Sequence, residues 1–480
     1  VNLLRLPRRL LPGLALLAGC AAAPPYDPPK PELPAAWKIE APFRAGEPGD
    51  AKPKGAWWER FGDEKLNGLV AQALKANPTL AAAGARFAQA RAALAAVSGQ
   101  AYPQVALGVR EQRFRITENR PLTNYRAPNF STTQTDTLVA PTASYEVDLA
   151  GRVAASIAGA RASAEQSAAD FENVRLLMIA DLCTAYFNLR QTDVELDVLG
   201  RAVALQRQSL ELARARHDLG AASGLDVAQQ QSLIDTTLTQ VDLLRRQRAQ
   251  YEHALATLAG TPAPVFSLAA DLRRIAPPAV PLGLPSDILE RRPDVASAER
   301  AMAAANAQVG VANAAFYPSV ILGAAAGAES RTLGSLFNAP SLVWSLGATL
   351  LQPIFDGGRL RGNLDFAKAG YEATAANYRR VLLTAMQEAE DGIIGLAALE
   401  RASAQSQASV ESARRVLDLV NARYEGGVAN SLEVITAQQS LLSSERLASQ
   451  LDGQRLLTTV FLVKALGGDW EGPIKSASRN

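Results

Sequence analysis

Cysteine is nearly absent: the 480 residues contain two, Cys20 and Cys183. A disulfide framework of the kind that holds small secreted domains together is therefore excluded. Histidine is as scarce. His217 and His253 stand alone, without the paired spacing of a metal site, and a solvated or helix-terminal role accounts for each. With only three Met as well, nothing supports a dedicated metal exporter. Aromatic residues make up 6% of the chain, while Ala, Leu, Arg, Gln and Glu dominate, a balance that favours long helices over a mixed sandwich. Charge of one sign is missing too. The formal net charge is +2, which gives neither the basic field that nucleic-acid binding requires nor an acidic tail. Enzymatic fingerprints are also lacking, whether metalloprotease, nucleophile elbow or dinucleotide loop. Asp356-Gly357-Gly358-Arg359 has the glycines of a phosphate cradle, but no P-loop Lys-Ser or Lys-Thr follows, and a strand-to-helix turn explains it. An enzyme is not expected, and no cofactor is called for.

What is present begins with a leader. Arg5, Arg8 and Arg9 precede the apolar run from Leu10 to Leu17, and Leu17-Ala18-Gly19-Cys20 follows. Residues 1–19 read as a secretory signal, since the run falls well short of the ~20 apolar residues that a spanning helix needs. The tetrapeptide resembles a bacterial lipobox, which implies a covalent lipid on Cys20 as the first residue of the mature chain. Ala21, where an Asp would retain the protein at the inner membrane, implies sorting to the outer membrane by the same resemblance. Cys183, the remaining thiol, sits in a helical run as a small buried apolar residue.

Residues 20–60 form a tether crowded with proline, from Pro24 to Pro53, in which no regular element persists. Helical periodicity runs from Phe61 to Ala76, and Asn77-Pro78 restarts it as far as Ala101. Between Tyr102 and Asp148 the period falls to two: Val105, Leu107 and Val109 alternate with Gln104, Ala106, Gly108 and Arg110. That pattern predicts strands, with an exposed hairpin turn over Arg115–Thr133. A helix on the order of 100 Å is then expected from Arg152 to Leu219, at ~1.5 Å per residue. After the break at Gly220–Gly224 a second long helix runs from Leu225 to about Gly260. Its seam reads in heptads, with Val227, Ile234, Val241 and Leu255 at one position and Leu244, Tyr251 and Leu258 at the other. Leu233, Leu238 and Leu243 fall off the seam, so this helix should have neighbours on more than one side.

Past a second proline-rich linker, residues 261–285, the plan repeats. A shift of 215 sets Pro78 on Pro293, Tyr102-Pro103 on Tyr317-Pro318, Val105 on Val320 and Gly108 on Gly323. A shift of 207 sets Gly151-Arg152 on Gly358-Arg359, Gly220 on Gly427, Leu225-Asp226-Val227 on Leu432-Glu433-Val434 and Gly260 on Gly467. The difference of eight falls in the hairpin loop, where length is tolerated. The chain is thus two copies of one strand-strand-long-helix unit, residues 61–260 and 286–468, followed by a tail over 469–480.

Four strands cannot close a membrane barrel, because outer-membrane barrels begin at about eight strands and an open edge cannot face lipid. Several chains must share one barrel, and three copies with twelve strands are the simplest solution. The expected fold is mainly α with a membrane β-barrel continuing into a periplasmic α-helical barrel. Taken together, the lipobox, the duplication, the two Tyr-Pro strand starts, Pro353-Ile354-Phe355-Asp356-Gly357-Gly358 and Tyr424-Glu425-Gly426-Gly427 resemble the TolC family of outer-membrane efflux ducts. Its lipoprotein branch is the better match, over roughly residues 20–470. The resemblance implies a passive homotrimeric duct anchored in outer-membrane lipid, a periplasmic adaptor protein and a proton-driven inner-membrane transporter as partners, and no nucleic acid. A different class remains open: a structural or adhesive coiled-coil lipoprotein without transport, which leaves the paired hairpins unexplained.

The two helix tips carry the candidate site. Ser223-Gly224-Leu225-Asp226 and Asn430-Ser431-Leu432-Glu433 each fit a capping box. On one reading Asp226 and Glu433 only complete helix N-termini, worth about 1 kcal/mol per cap. On the other, three copies of Glu433 place a carboxylate ring in the closed end of a tunnel, where charge rings select ions. The resemblance implies a gate at Asp226, Tyr424 and Glu433, although Thr436 and Ala429 stand where some relatives have a second acid and a latching arginine. Leu219, Gly220, Gly427 and Val428 would meet the adaptor, or they serve only the reversal between helices.

Overall fold

A computed structural model describes Tyr26 and residues 55–115, 133–280 and 291–468. Cys20, the signal, most of the tether, the first hairpin turn and the tail lie outside the described residues. Helix starts follow their capping chemistry. Asp63 accepts from the backbone N–H of Lys65 and Leu66 at 2.9 and 3.1 Å to open α1 (Glu64–Ala76). Asn77 caps α2 (Pro78–Ser98) by accepting from Leu80 N at 3.0 Å, with proline at the first helical position, where its missing N–H costs nothing. A single 3-10 turn, Gly99–Ala101, then leads into β1 (Gln104–Arg115) and β2 (Thr133–Val147). The long helices α3 (Arg152–Asp218) and α4 (Gly224–Leu258) complete the first half. The second half supplies α5 (Pro293–Ala314), β3 (Ser319–Ser330), β4 (Leu342–Leu351), α6 (Arg359–Glu425) and α7 (Ser431–Ala465).

The duplication extends to element lengths. Helices α3 and α6 each have 67 residues, α4 and α7 each have 35, and β1 and β3 each have 12. All four long helices end in the same way. A left-handed glycine follows each: Gly220, Gly427, Gly260 and Gly467, with φ of 76°, 80°, 70° and 90°. The N–H of the next residue returns to a carbonyl five back, as in Ala221 to Arg216 at 2.7 Å and Val428 to Arg423 at 2.9 Å. This Schellman arrangement pairs carbonyls that a helix end leaves orphaned. Two of the glycines cannot be replaced for a second reason. A Cβ on Gly260 would lie 2.3 Å from Ala76 O, and one on Gly467 would lie 2.5 Å from Arg291 O.

The residues divide into two compact units. The first, with described residues 26, 87–115, 133–167 and 298–378, holds one four-stranded antiparallel sheet in the order β1-β2-β3-β4. Its helical part packs through small residues, Gly159 of α3 meeting Ala307 of α5. Tyr26, six positions beyond Cys20, donates its hydroxyl to Glu299 Oε1 at 2.9 Å and to Glu299 O at 3.2 Å.

The second unit is helical. Leu182, Cys183, Tyr186, Phe187 and Leu189 of α3 are fully buried, and Phe61 lies 4.7 Å from Phe187 between ring centroids. Burial pushes the Cys183 thiol well above the usual range, consistent with a packing role. Beside this core lies a polar knot. Tyr186 donates to Asp63 at 2.7 Å, and Arg190 stacks on the Tyr186 ring at 4.8 Å. The Asp193 carboxylate accepts from Arg190 at 3.0 Å, from Arg248 at 2.6 Å and from Asp271 N at 3.2 Å. Arg190 and Arg248 donate onward to the carbonyls of Ala269 and Leu268, so the linker is tied to α3 and α4 by its backbone. Of the heptad seam, Ile234, Val241, Leu244 and Leu255 are buried, and Leu199, Val241 and Leu244 share a cluster with Leu442 of α7. Leu233 is buried off the seam as expected, whereas Leu243 is 53% exposed in the single chain.

Candidate functional sites at the sheet and the helix tips

Pairing register gives the sheet two faces of opposite chemistry. One face reads Val105, Ala143, Ala324, Leu346 across the four strands, then Val109, Val139, Ala328, Leu342, then Tyr145, Leu322, Ala348 across β2 to β4. These rows are apolar, the face turning polar only beyond them at Glu111, Thr137 and Ser330, and Val105, Trp344 and Leu346 are 74%, 72% and 77% exposed. The reverse face reads Gln104, Ser144, Gly323, Gly347, then Ala106, Thr142, Ala325, Ser345, with Arg110 donating to Asp136 at 2.8 Å. Side chains alternate across a strand, so an apolar band backed by small polar residues follows directly from period two. A soluble sheet buries its apolar face; this one presents it to the surroundings. In the middle, Pro141 offers no N–H, and Gly327 sits opposite Ala140 where a Cβ would be 2.2 Å from Val139 O. Among the described residues, the outer edges of β1 and β4 have no partner strand. Among the described residues, no helix is long and apolar enough to cross a membrane, and no group of three His, Cys, Asp or Glu could hold a metal.

The tips, in the other unit, are built by the helix caps. Ser223 N and Oγ each donate to Asp226 Oδ2 at 2.9 Å, and Asp226 N returns to Ser223 Oγ at 3.3 Å. Asn430 and Glu433 reproduce the box, with Glu433 N to Asn430 Oδ1 at 2.9 Å and Asn430 N to Glu433 Oε1 at 3.2 Å. Both carboxylates therefore cap their helices. Glu433 has a further partner, Arg423, at 3.6 Å. The link between halves comes from a different residue. Arg216 Nη2 donates to Tyr424 O at 3.0 Å and Glu425 O at 3.3 Å, and its guanidinium stacks on the Tyr424 ring at 4.2 Å. A cation is thus set on the carbonyl end of α6, where the helix dipole favours it. Leu219 and Val428 project into solvent at 84% and 70% exposure, beside the two left-handed glycines.

Comparison with known proteins decides the family. The family described as Outer membrane efflux protein matches residues 69–261 and 284–468. The chain belongs to the outer membrane efflux protein family. It is 32% identical over 463 residues to TtgF, a toluene efflux pump outer membrane protein of Pseudomonas putida, covering 95% of each sequence. It is 31% identical over 472 residues to OpmQ, a pyoverdine export outer membrane protein of Pseudomonas aeruginosa, covering 98% of each. The solved structure of the outer-membrane channel OprN superposes with a TM-score of 0.86 at 27% identity, over 94% of this chain and all of that one. The two-faced sheet and paired long helices match outer-membrane efflux channels built of a β-barrel and an α-helical barrel.

Within that family frame, the tip residues separate. Tyr424 and Arg216 are brought together, while the Asp226 carboxylate is engaged by Ser223. Sequence reasoning passed over Arg216, although one signal was available: Arg216 and Arg423 occupy the same place in the two halves, 207 positions apart and four before the left-handed glycine. The repeated arginine is used twice and differently, across the halves by Arg216 and within its own tip by Arg423.

Proposed function

We propose that this chain is the outer-membrane duct of a tripartite export system, through which small molecules leave passively after an inner-membrane transporter and a periplasmic adaptor deliver them. It has no catalytic role. The observation that carries this is the sheet: a continuous exposed apolar face with two unpaired edges is stable only where lipid meets the face and further strands meet the edges. Three copies supply twelve strands, with the polar face lining the lumen. The efflux roles carried in the names of TtgF and OpmQ support the same reading. Recording from the purified protein in planar bilayers tests it: discrete current steps are expected, and protein that inserts without ever conducting overturns it.

The mature chain starts at acylated Cys20. Only five residues separate that lipid from Tyr26, which is hydrogen-bonded to Glu299 of α5. The Cys20→Ser protein should lose acyl label in cells given labelled palmitate, and undiminished labelling would remove the anchor from the account.

At the tips, Leu219, Gly220, Gly427 and Val428 form the adaptor contact. Exposed apolar side chains beside glycines that leave the backbone open suit the docking of a helical hairpin. Asp226 and Glu433 cap, Glu433 adds carboxylate charge at the mouth, and Tyr424 is held by Arg216 in the closed arrangement.

A further inference from the structure

One arginine of the polar knot has a repeat counterpart without the knot around it. In the first half Arg248 donates to Asp193, to Glu252 and to the Leu268 carbonyl at 2.6, 3.2 and 2.7 Å. A shift of 207 carries Arg248 to Arg455, but Glu252 to Thr459 and Asp193 to Glu400. The cation is kept and its partners are not. Glu400 is exposed, and Arg455 Nε is buried with no hydrogen-bond partner among the described residues. Arg455 lines a cleft of about 690 Å³ inside the helical unit, walled by residues 190–201 of α3, by α6 and α7, and by linker residues 272–277. That volume lies within the ~300–1,000 Å³ range of small-molecule sites. The two halves approach closely beside it, since a Cβ on Gly453 of α7 would lie 2.5 Å from Gln191 Oε1 of α3.

Six arginines and three acids line the cleft. Four of the arginines are paired: Arg201 with Asp197 and Glu445, Arg414 with Glu445 at 2.7 Å, Arg273 with Asp271 at 2.7 Å and Arg190 with Asp193 at 3.0 Å. Asp452, the third acid, accepts from Ser403 at 2.9 Å. Arg274 and Arg455 are left without an ion pair among the described residues. Further donors on the walls are also unspent: Arg190 Nε and Nη2 and the Ser449 hydroxyl are buried and unpartnered. A guanidinium does not shed its proton, so burial cannot neutralise it as it would a lysine or a carboxylate. An acceptor must come from elsewhere. We propose that this cleft binds a small anion bearing phosphate or carboxylate groups, held by Arg455 and Arg274 and bridging the two halves of the chain through the linker. Guanidinium forks match both oxyanions in bidentate fashion, and a recess lined by one sign of charge concentrates its field on such a ligand. The site involves neither the sheet nor the helix tips, so its failure would leave the duct reading untouched.

Isothermal titration of the full-length, detergent-extracted protein with pyrophosphate and, separately, with citrate tests the site. Saturable binding is expected for at least one of them, and the anion that saturates tells phosphate from carboxylate recognition. Arg455→Gln and Arg274→Gln should each weaken it by about tenfold or more, the loss of a charged hydrogen bond. Arg246→Gln, at an exposed arginine of α4 outside the cleft, should bind as wild type does. Because a ligand that binds only the folded chain stabilises it, the saturating anion should also raise the melting temperature of wild type and not that of Arg455→Gln. Absence of saturable binding with both anions overturns the site. So does binding that the two cleft variants leave unchanged, or that Arg246→Gln weakens equally. Arg274 is exposed on the linker, so Arg274→Gln decides should Arg455→Gln fail to fold.

Discussion

Replacing Asp193 with alanine should destabilise the helical unit by about 3–5 kcal/mol, the cost of breaking a buried ion pair from one side. Its side chain is fully buried and is shared by two arginines, Arg190 at 3.0 Å and Arg248 at 2.6 Å, of which Arg190 is itself almost inaccessible. Two guanidinium nitrogens of Arg190, Nε and Nη2, already lack a hydrogen-bond partner among the described residues. Removing the carboxylate would leave that cation with the Ala269 carbonyl and the Tyr186 ring, and the Asp271 N–H would lose its acceptor as well. Asparagine should be milder, since its amide oxygen can still accept while the charge is lost. Chemical unfolding followed by helical circular dichroism would measure the difference. An Asp193→Ala midpoint equal to wild type would contradict the assignment of the knot as the fastening between linker and coils.

The second large effect is on opening. Arg216 spends two hydrogen bonds and one ring contact on the end of α6, and a charged hydrogen bond is worth ~1.5–3 kcal/mol. Losing about 2 kcal/mol from the closed arrangement shifts the closed-to-open ratio on the order of 30-fold, given tenfold per 1.36 kcal/mol. Arg216→Ala should therefore raise single-channel conductance, with Arg216→Lys intermediate, because an ammonium keeps the charge but loses the planar stack. Glu433→Ala acts differently: it removes a cap and a mouth charge, so cation preference should fall along with any change in conductance. If Arg216→Ala conducts as wild type does, the clamp is only a helix cap.

Much of the fold is legible in the sequence because its punctuation is local. Pro78 and Pro293 start helices, and Gly220, Gly260, Gly427 and Gly467 end them, each through backbone conformations that few residues adopt. The strands are legible in Val105, Leu107 and Val109, less so around Pro141, where a ring and small alanines blur the alternation. What sequence does not reveal is contact between distant positions. Arg216 and Tyr424 lie 208 positions apart, and no periodicity within either helix signals their stacking. Asp193, Arg190 and Arg248 read as ordinary helix-surface charges, since their burial depends on a linker that folds over them. Tyr26 is read only as part of a tether, because the carboxylate that fixes it is 273 positions away.

The central claim is that four strands per chain close in threes, and native mass spectrometry of the detergent-extracted complex tests it most directly. The account predicts a single species of three acylated chains. A monomer, or a series of sizes without an end point, would contradict it.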